Sequence, residues 1–188
     1  MKKKSAQPPD TAVHPQVRRT RQALREGLLS LLEDKPLDQV THQELASRAE
    51  VAYASFFRHY SSKEALLREI VQDQVTRLLA ATVPAVDGDD TYAGCLVLCR
   101  HIDQDRKVWS TLVRAASEML REELIHLTLQ MRPKKNRDQK WVTVELGTRV
   151  GVASMIEIIR WWMDDPRSLT VQQAAEVLNR MVVAPALR

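Results

Sequence analysis

The chain has 188 residues, 44% of them hydrophobic and 28% charged, with a formal net charge of +4. That length and balance allow a sizeable buried core and exclude a disordered or collagen-like chain. The longest apolar run, Val150 to Met163, is too short to span a bilayer and carries Glu157 and Arg160, and no signal-peptide pattern follows Met1, so a cytoplasmic protein with no membrane partner is expected.

The charge is unevenly spread. Residues 1–25 hold Lys2, Lys3, Lys4, Arg18, Arg19, Arg21 and Arg25 against the single acid Asp10, a surplus of six that leaves the remainder slightly acidic. A basic segment suits a polyanion, because each neutralised phosphate releases counterions. Pro8, Pro9, Asp10 and Pro15 interrupt residues 1–16, which show no apolar period and read as a disordered basic arm. From Val17 to about Glu33, Leu24, Leu28, Leu31 and Leu32 recur at helical spacing, and Asp34-Lys35-Pro36 ends that helix. Arg18 and Arg19 stand at its start, where contact with phosphate or a minor groove is expected.

Val40 to Leu67 is the most informative stretch. Thr41 and Glu44 have capping-box spacing, followed by Leu45, Ala46 and Ala49 on one apolar face. The pattern fades at Glu50-Val51. A second short helix from Ala52 to Arg58 would point Phe56 inward and Tyr53, Ser55, Arg58 and His59 outward. Two short helices joined by so tight a turn read as a helix-turn-helix, whose second helix fits the major groove of DNA.

The run from Ala49 to Leu67, AEVAYASFFRHYSSKEALL, resembles the signature of the TetR/AcrR family of bacterial transcriptional regulators. In that family the recognition helix ends in an aromatic-aromatic-x-x-aromatic run, followed by Ser-Lys-Glu and a long linking helix. The likeness covers roughly residues 18–70. It implies an all-α fold of about nine helices. A three-helix helix-turn-helix DNA-binding domain would occupy residues 17–64, and a helical ligand-binding and dimerisation domain residues 65–188. It also implies that Tyr53, Ala54 and Ser55 present to bases while Thr41, His59 and Lys63 bind phosphates, with His42, Ala52 and Phe57 on the same DNA-binding surface.

Three residues depart from the family's pattern. Glu50 stands where Gly is usual, at a turn position that favours the left-handed conformation, which costs a side-chain-bearing residue about 1 kcal/mol. Ala52 replaces a Ser-type cap, at a cost of ~1 kcal/mol. Phe57 replaces a Tyr whose hydroxyl in relatives contacts a phosphate.

Beyond the motif, Ser61 and Glu64 are spaced as a second capping box for a helix running to about Thr82, which Pro84 and the Val86–Asp90 stretch should break. Further helices read as about 91–102, 105–115, 117–131, 141–164 and 171–183, with no sustained strand alternation. Arg132 to Asp138 is a basic loop. Cys95 and Cys99 lie one turn apart, half of a zinc site at most, and read as small reduced core residues. Neither a phosphate-cradling Gly-rich loop nor a nucleophile motif occurs, so no enzyme, metal or cofactor is expected.

The helix through Val150–Met163 is apolar nearly all round and must be covered on more than one side. Thr170 and Gln173 form a third capping box ahead of a stripe of Ala174, Val177, Leu178 and Met181. The layout resembles the family's last two helices, which pair with their mates in a two-fold four-helix interface. That implies a homodimer through Val152, Met155, Ile156, Ile159, Trp162, Val177 and Met181. Relatives also hold a hydrophobic or amphipathic effector in this domain, and Leu98, Ile102, Trp109, Leu112, Met119 and Met155 are the candidate lining, with Cys99, His101, Arg114 and His126 as polar candidates. The expected function is a dimeric, ligand-responsive regulator. It would repress from a palindromic double-stranded DNA operator and be released by an unknown small-molecule effector. The alternative is a helical small-molecule- or protein-binding module with weakened DNA binding.

Overall fold

Every regular element among the described residues is helical, and no strand occurs among them. The computed structural model describes residues 15–86, 90–131, 143–165 and 169–187. Two units divide the chain, Met1–Lys63 and Glu64–Arg188. Most of the basic arm and the basic loop at Arg132–Asp138 lie outside the described residues.

In the first unit α1 spans Pro15–Asp34, α2 His42–Arg48 and α3 Tyr53–His59, with a short 3-10 turn, Leu37–Gln39, between α1 and α2. Pro15 and Gln16, which the sequence assigns to the arm, are the first residues of α1. A proline is at home there, since its missing N–H would have no helical partner. Leu24, Leu28, Leu31 and Leu32 are buried as their spacing predicts, together with Leu45, Ala46, Ala49 and Phe56 of the next two helices. Gly27 sets how closely α1 and α2 meet, because a Cβ there would lie 3.3 Å from both the Cβ and the backbone nitrogen of Ala49.

The second unit holds the body of α4 (Lys63–Val86), then α5 (Thr91–Gln104), α6 (Arg106–Ala115), α7 (Ser117–Met131) and α8 (Val144–Asp164). A last run passes from α9 (Val171–Leu178) through a π-helical stretch, Asn179–Val183, into α10 (Ala184–Leu187). The expected helices are present, with three differences. α4 begins at Lys63, one residue later than a Ser61–Glu64 capping box requires. It also continues through Pro84 to Val86, because a proline in the last turn removes a donor only where the ladder is ending. The π-helical widening of the last run leaves no mark in the spacing of its apolar residues.

Caps account for several starts. Asp90 accepts from the Ala93 N–H at 3.1 Å, and Thr143 from the Leu146 N–H at 3.3 Å. Thr170 and Gln173 form the predicted capping box. α5 packs along α9, and α7 along α8. Trp109 and Trp162 are among the largest fully buried side chains. The Trp162 indole N–H donates to the Leu169 carbonyl at 3.0 Å, and the Arg106 guanidinium lies 4.8 Å from its ring centroid while donating to its carbonyl at 2.7 Å. Arg106 thereby ties the start of α6 to the end of α8.

Gly27→Val should destabilise the first unit by about 1–3 kcal/mol, the cost of overpacking a close contact. Urea unfolding followed by circular dichroism measures this, and an unchanged midpoint would mean that α1 and α2 separate freely.

Candidate nucleic-acid interface and effector cavity

The turn between α2 and α3 fixes the candidate DNA-binding surface. Glu50 has φ of 53°, the one left-handed non-glycine residue among those described. With its N–H donating to the Ser47 carbonyl and that of Val51 to the Ala46 carbonyl, at 3.1 and 3.0 Å, the end of α2 is a Schellman motif with Glu50 at the position that glycine usually takes. The departure noted in the sequence is therefore a backbone under local strain, held in place by two hydrogen bonds. Ala52 takes the N-cap position of α3 and, as a side chain without oxygen, supplies no cap.

At about 100° per residue, Phe56 turns into the core while Tyr53, Ala54, Phe57 and Arg58 turn outward. Tyr53 and Phe57 are 54% and 47% exposed, large for aromatic side chains, and stack edge-on with centroids 5.3 Å apart. His42, at the start of α2, extends this aromatic edge with its ring 5.1 Å from Phe57 and 5.0 Å from Phe56. At the opposite edge Arg58 donates to the Ser55 hydroxyl at 2.6 Å. Arg58 was not among the DNA-binding residues expected from sequence; its signal was a basic residue one turn after Ser55 at the end of the recognition helix. Arg18 and Arg19 are exposed on α1.

Two expected phosphate ligands, Thr41 and Lys63, are engaged within their own unit. The Thr41 hydroxyl accepts from the Glu44 N–H at 3.1 Å and gives its proton to the Glu44 carboxylate at 2.9 Å, so it is occupied as a cap. The ion pair of Glu44 with Lys35 at 2.6 Å, aided by the Thr41 N–H, holds that carboxyl down to about 2. Lys63 donates to the carbonyls of Leu37 and Val40, each at 2.7 Å, and of Asp38 at 3.3 Å. Three donors on one ammonium thus converge on carbonyls in and just after the short 3-10 turn, one of which, that of Leu37, also accepts the Val40 N–H at 3.1 Å. His59 falls on the half-buried flank of α3, away from Ala54.

The second unit carries a partly open cavity of about 340 Å³, bordered as follows among the described residues. Its wall comes from α4 (Leu78, Leu79, Thr82, Val83), α5 (Thr91, Gly94, Cys95, Leu98), α7 (Leu124, Thr128, Met131), α8 (Val152, Met155) and the last run (Leu178, Val183). Of the expected lining, Leu98 and Met155 are in this wall. Ile102, Trp109 and Leu112 are buried core instead, and Met119 is not part of the wall. The wall lies further toward α4 and the last run than the sequence reading placed it, because helical spacing marks which residues are buried and not which buried faces fail to close. None of Cys99, His101, Arg114 and His126 borders the cavity; Cys95 does. Burial pushes the Cys95 thiol up to about 11 and the Cys99 thiol up to about 12, so both are neutral at physiological pH.

The expected dimer residues divide. Val152, Ile156, Ile159 and Trp162 are buried within their own unit, so they are not free to meet another chain. The face that α8 leaves open carries Leu146, Val150, Ala153 and Trp161, one helical stripe displaced from the expected set. Met155 and Val177 are half-buried, and Met181 is exposed.

Residues 24–70 match the sequence model of the bacterial regulatory proteins of the tetR family. The matched segment takes in the helix-turn-helix formed by α2 and α3. A curated relative, the uncharacterised HTH-type transcriptional regulator YxbF of Bacillus subtilis strain 168, is 29% identical over 68 residues, 36% of this chain, and the match spans only 18% of that relative. Among solved structures, a TetR transcriptional regulator from Streptococcus agalactiae 2603V superposes with a TM-score of 0.65 at 23% identity, covering 89% of this chain and 95% of that one. NalD of Pseudomonas aeruginosa, the secondary repressor of the MexAB-OprM multidrug efflux pump, gives 0.66 at 18% identity over 92% and 98%. The fold is thus that of TetR-family transcriptional regulators. No helix among the described residues is long and apolar enough to cross a membrane.

Glu50→Gly should stabilise the first unit by about 1 kcal/mol by relieving the left-handed backbone, a gain readable in the thermal midpoint, and a loss would contradict the strain. Lys63→Met keeps the aliphatic stem but removes the ammonium donor from the three carbonyls, and should cost about 1–2 kcal/mol in the absence of DNA. Stability equal to the parent would return Lys63 to the role of a free phosphate ligand.

Proposed function

We propose that the protein is a dimeric, ligand-responsive transcriptional regulator, a cytoplasmic repressor of a palindromic double-stranded DNA operator that a small-molecule inducer releases. The observation that carries this reading is the exposed face of α3 held out by the Schellman turn at Glu50, within the segment that matches the tetR family. Tyr53, Ala54 and Ser55 would read base edges, Ala54 by methyl contact alone, while Arg58, Arg18 and Arg19 supply cations for phosphates. Phe57 and His42 would pack against the sugar-phosphate backbone as an apolar edge.

Dimerisation is supported by the open stripe of α8. Leu146, Val150 and Trp161 are each more than half exposed, as is Met181 on the last run, an apolar surface of the kind that association covers. A two-fold dimer would place two readers on two half-sites one helical turn or a multiple apart. Any inducer must by linkage bind more weakly to the operator-bound protein, by the factor by which it lowers operator affinity.

The test is fluorescence anisotropy with DNA flanking the protein's own gene, at low and moderate salt, for the parent, Tyr53→Ala and Val150→Asp. Specific binding that weakens steeply with salt is expected for the parent, an altered sequence preference for Tyr53→Ala, and for Val150→Asp a monomer by sedimentation with weaker operator binding. The uncapped Ala52 and the hydroxyl-free Phe57 favour a second reading, a ligand- or protein-binding module with weakened DNA binding, and absence of sequence-specific binding even at low salt would establish it over the first.

A further inference from the structure

Cys95 and Cys99 are the only cysteines in the chain, and both stand on α5. Four residues apart on a helix, they share one face, with Cβ atoms about 5–6 Å from each other. Both thiols are free, and both are buried, Cys95 at 5% exposure and Cys99 at 0%. Cys95 also borders the partly open cavity, which gives a small solute a route to the nearer sulfur. A charge on Cys95 would push the Cys99 thiol further up, which marks the two sulfurs as near neighbours. The pair has no part in the DNA-reading unit or in the open stripe of α8.

Two sulfurs are half of a tetrahedral zinc site but the whole of a linear one. Among the described residues no group of three or more His, Cys, Asp and Glu side chains is placed to hold a metal. We infer that the Cys95–Cys99 pair is a two-coordinate site for a soft, thiophilic ion with a filled d shell, the mercuric ion above all. The inference stands apart from the proposed operator and effector roles. On binding, two S–H bonds break, two S–Hg bonds form, and two protons pass to solvent, with no change of oxidation state. Soft donors meet a soft ion, and the doubly charged cation with two thiolates makes an uncharged unit, which a buried position tolerates. A cuprous ion in the same place would leave a net negative charge buried one turn from Asp103, whose carboxylate already acts on Cys99.

The experiment uses the full chain, reduced and without DNA, titrated with mercuric chloride against about a tenfold excess of glutathione, a monothiol that strips an ion held by one sulfur but not one held by two linked sulfurs. One ion per chain is expected at saturation, with a thiolate-to-mercury absorption band in the ultraviolet and two protons released per ion. Helical circular dichroism should be retained and the melting temperature raised. Methylmercury, which takes a single sulfur, should be lost to glutathione from the parent itself, and Cys95→Ala and Cys99→Ala should each lose the mercuric ion. Zinc should leave the melting temperature unchanged, and the cuprous ion should bind more than about tenfold more weakly. Two ions per chain, retention of the ion by either alanine variant, an ion that joins two chains in sedimentation, a fall in melting temperature with loss of helix, or tighter binding of the cuprous ion would each overturn the assignment. Because DNA and effector are absent, such a failure is separate from a failure of operator binding.

Discussion

The backbone at Glu50 is the constraint on which the DNA-reading unit depends. A helix of seven residues, α2, ends and only four residues separate it from α3, and the turn that joins them puts one residue into the left-handed region. Glycine takes that conformation freely; glutamate is forced into it by the two hydrogen bonds that close α2 and by the burial of Ala49 on one side and Phe56 on the other. Ala49 in turn sits against Gly27, so the close approach of α1 and the sharp exit from α2 are two parts of the same packing problem. Once these are satisfied α3 has no freedom about its axis, and its outward face is decided.

The lysine at the start of α4 belongs to the same arrangement. Its ammonium donates to three carbonyls in and just after the short 3-10 turn, serving those acceptors with a single side chain. Lys63 therefore braces the entry to α2, with Thr41 and Glu44 securing the first turn of the helix itself. Thr41 and Lys63, which read in sequence as phosphate ligands, hold the ends of α2 and α4 to their own unit. On α3 the side chains that turn outward are Tyr53, Ala54, Phe57 and Arg58, the last bonded to Ser55.

In the second unit the governing feature is the apolar circumference of α8. One side is covered by its own unit through Val152, Ile156, Ile159 and Trp162, part of that side faces the cavity at Val152 and Met155, and the side bearing Leu146, Val150 and Trp161 stays open. α8 thus has one closed side, one side on the hollow and one open side, and these are the features on which the proposed ligand response and dimerisation rest.

Sequence by itself determined the helices and their ends, because a helix is a local structure: the period of Leu24, Leu28 and Leu31, the boxes at Thr41–Glu44 and Thr170–Gln173, and the breaker at Pro36 all act within a few residues. It also marked Glu50 as the unusual turn residue and Phe56 as the inward one. Only tertiary structure decided which buried residues border a hollow, since Leu98 and Ile102 have the same period and burial yet only Leu98 faces the cavity. It also decided which stripe of α8 stays open and that Lys63 spends its charge on carbonyls from a turn more than twenty residues away in the chain. Those outcomes depend on where the faces of distant helices meet, and helical periodicity fixes the direction of a side chain relative to its own axis without fixing what stands opposite.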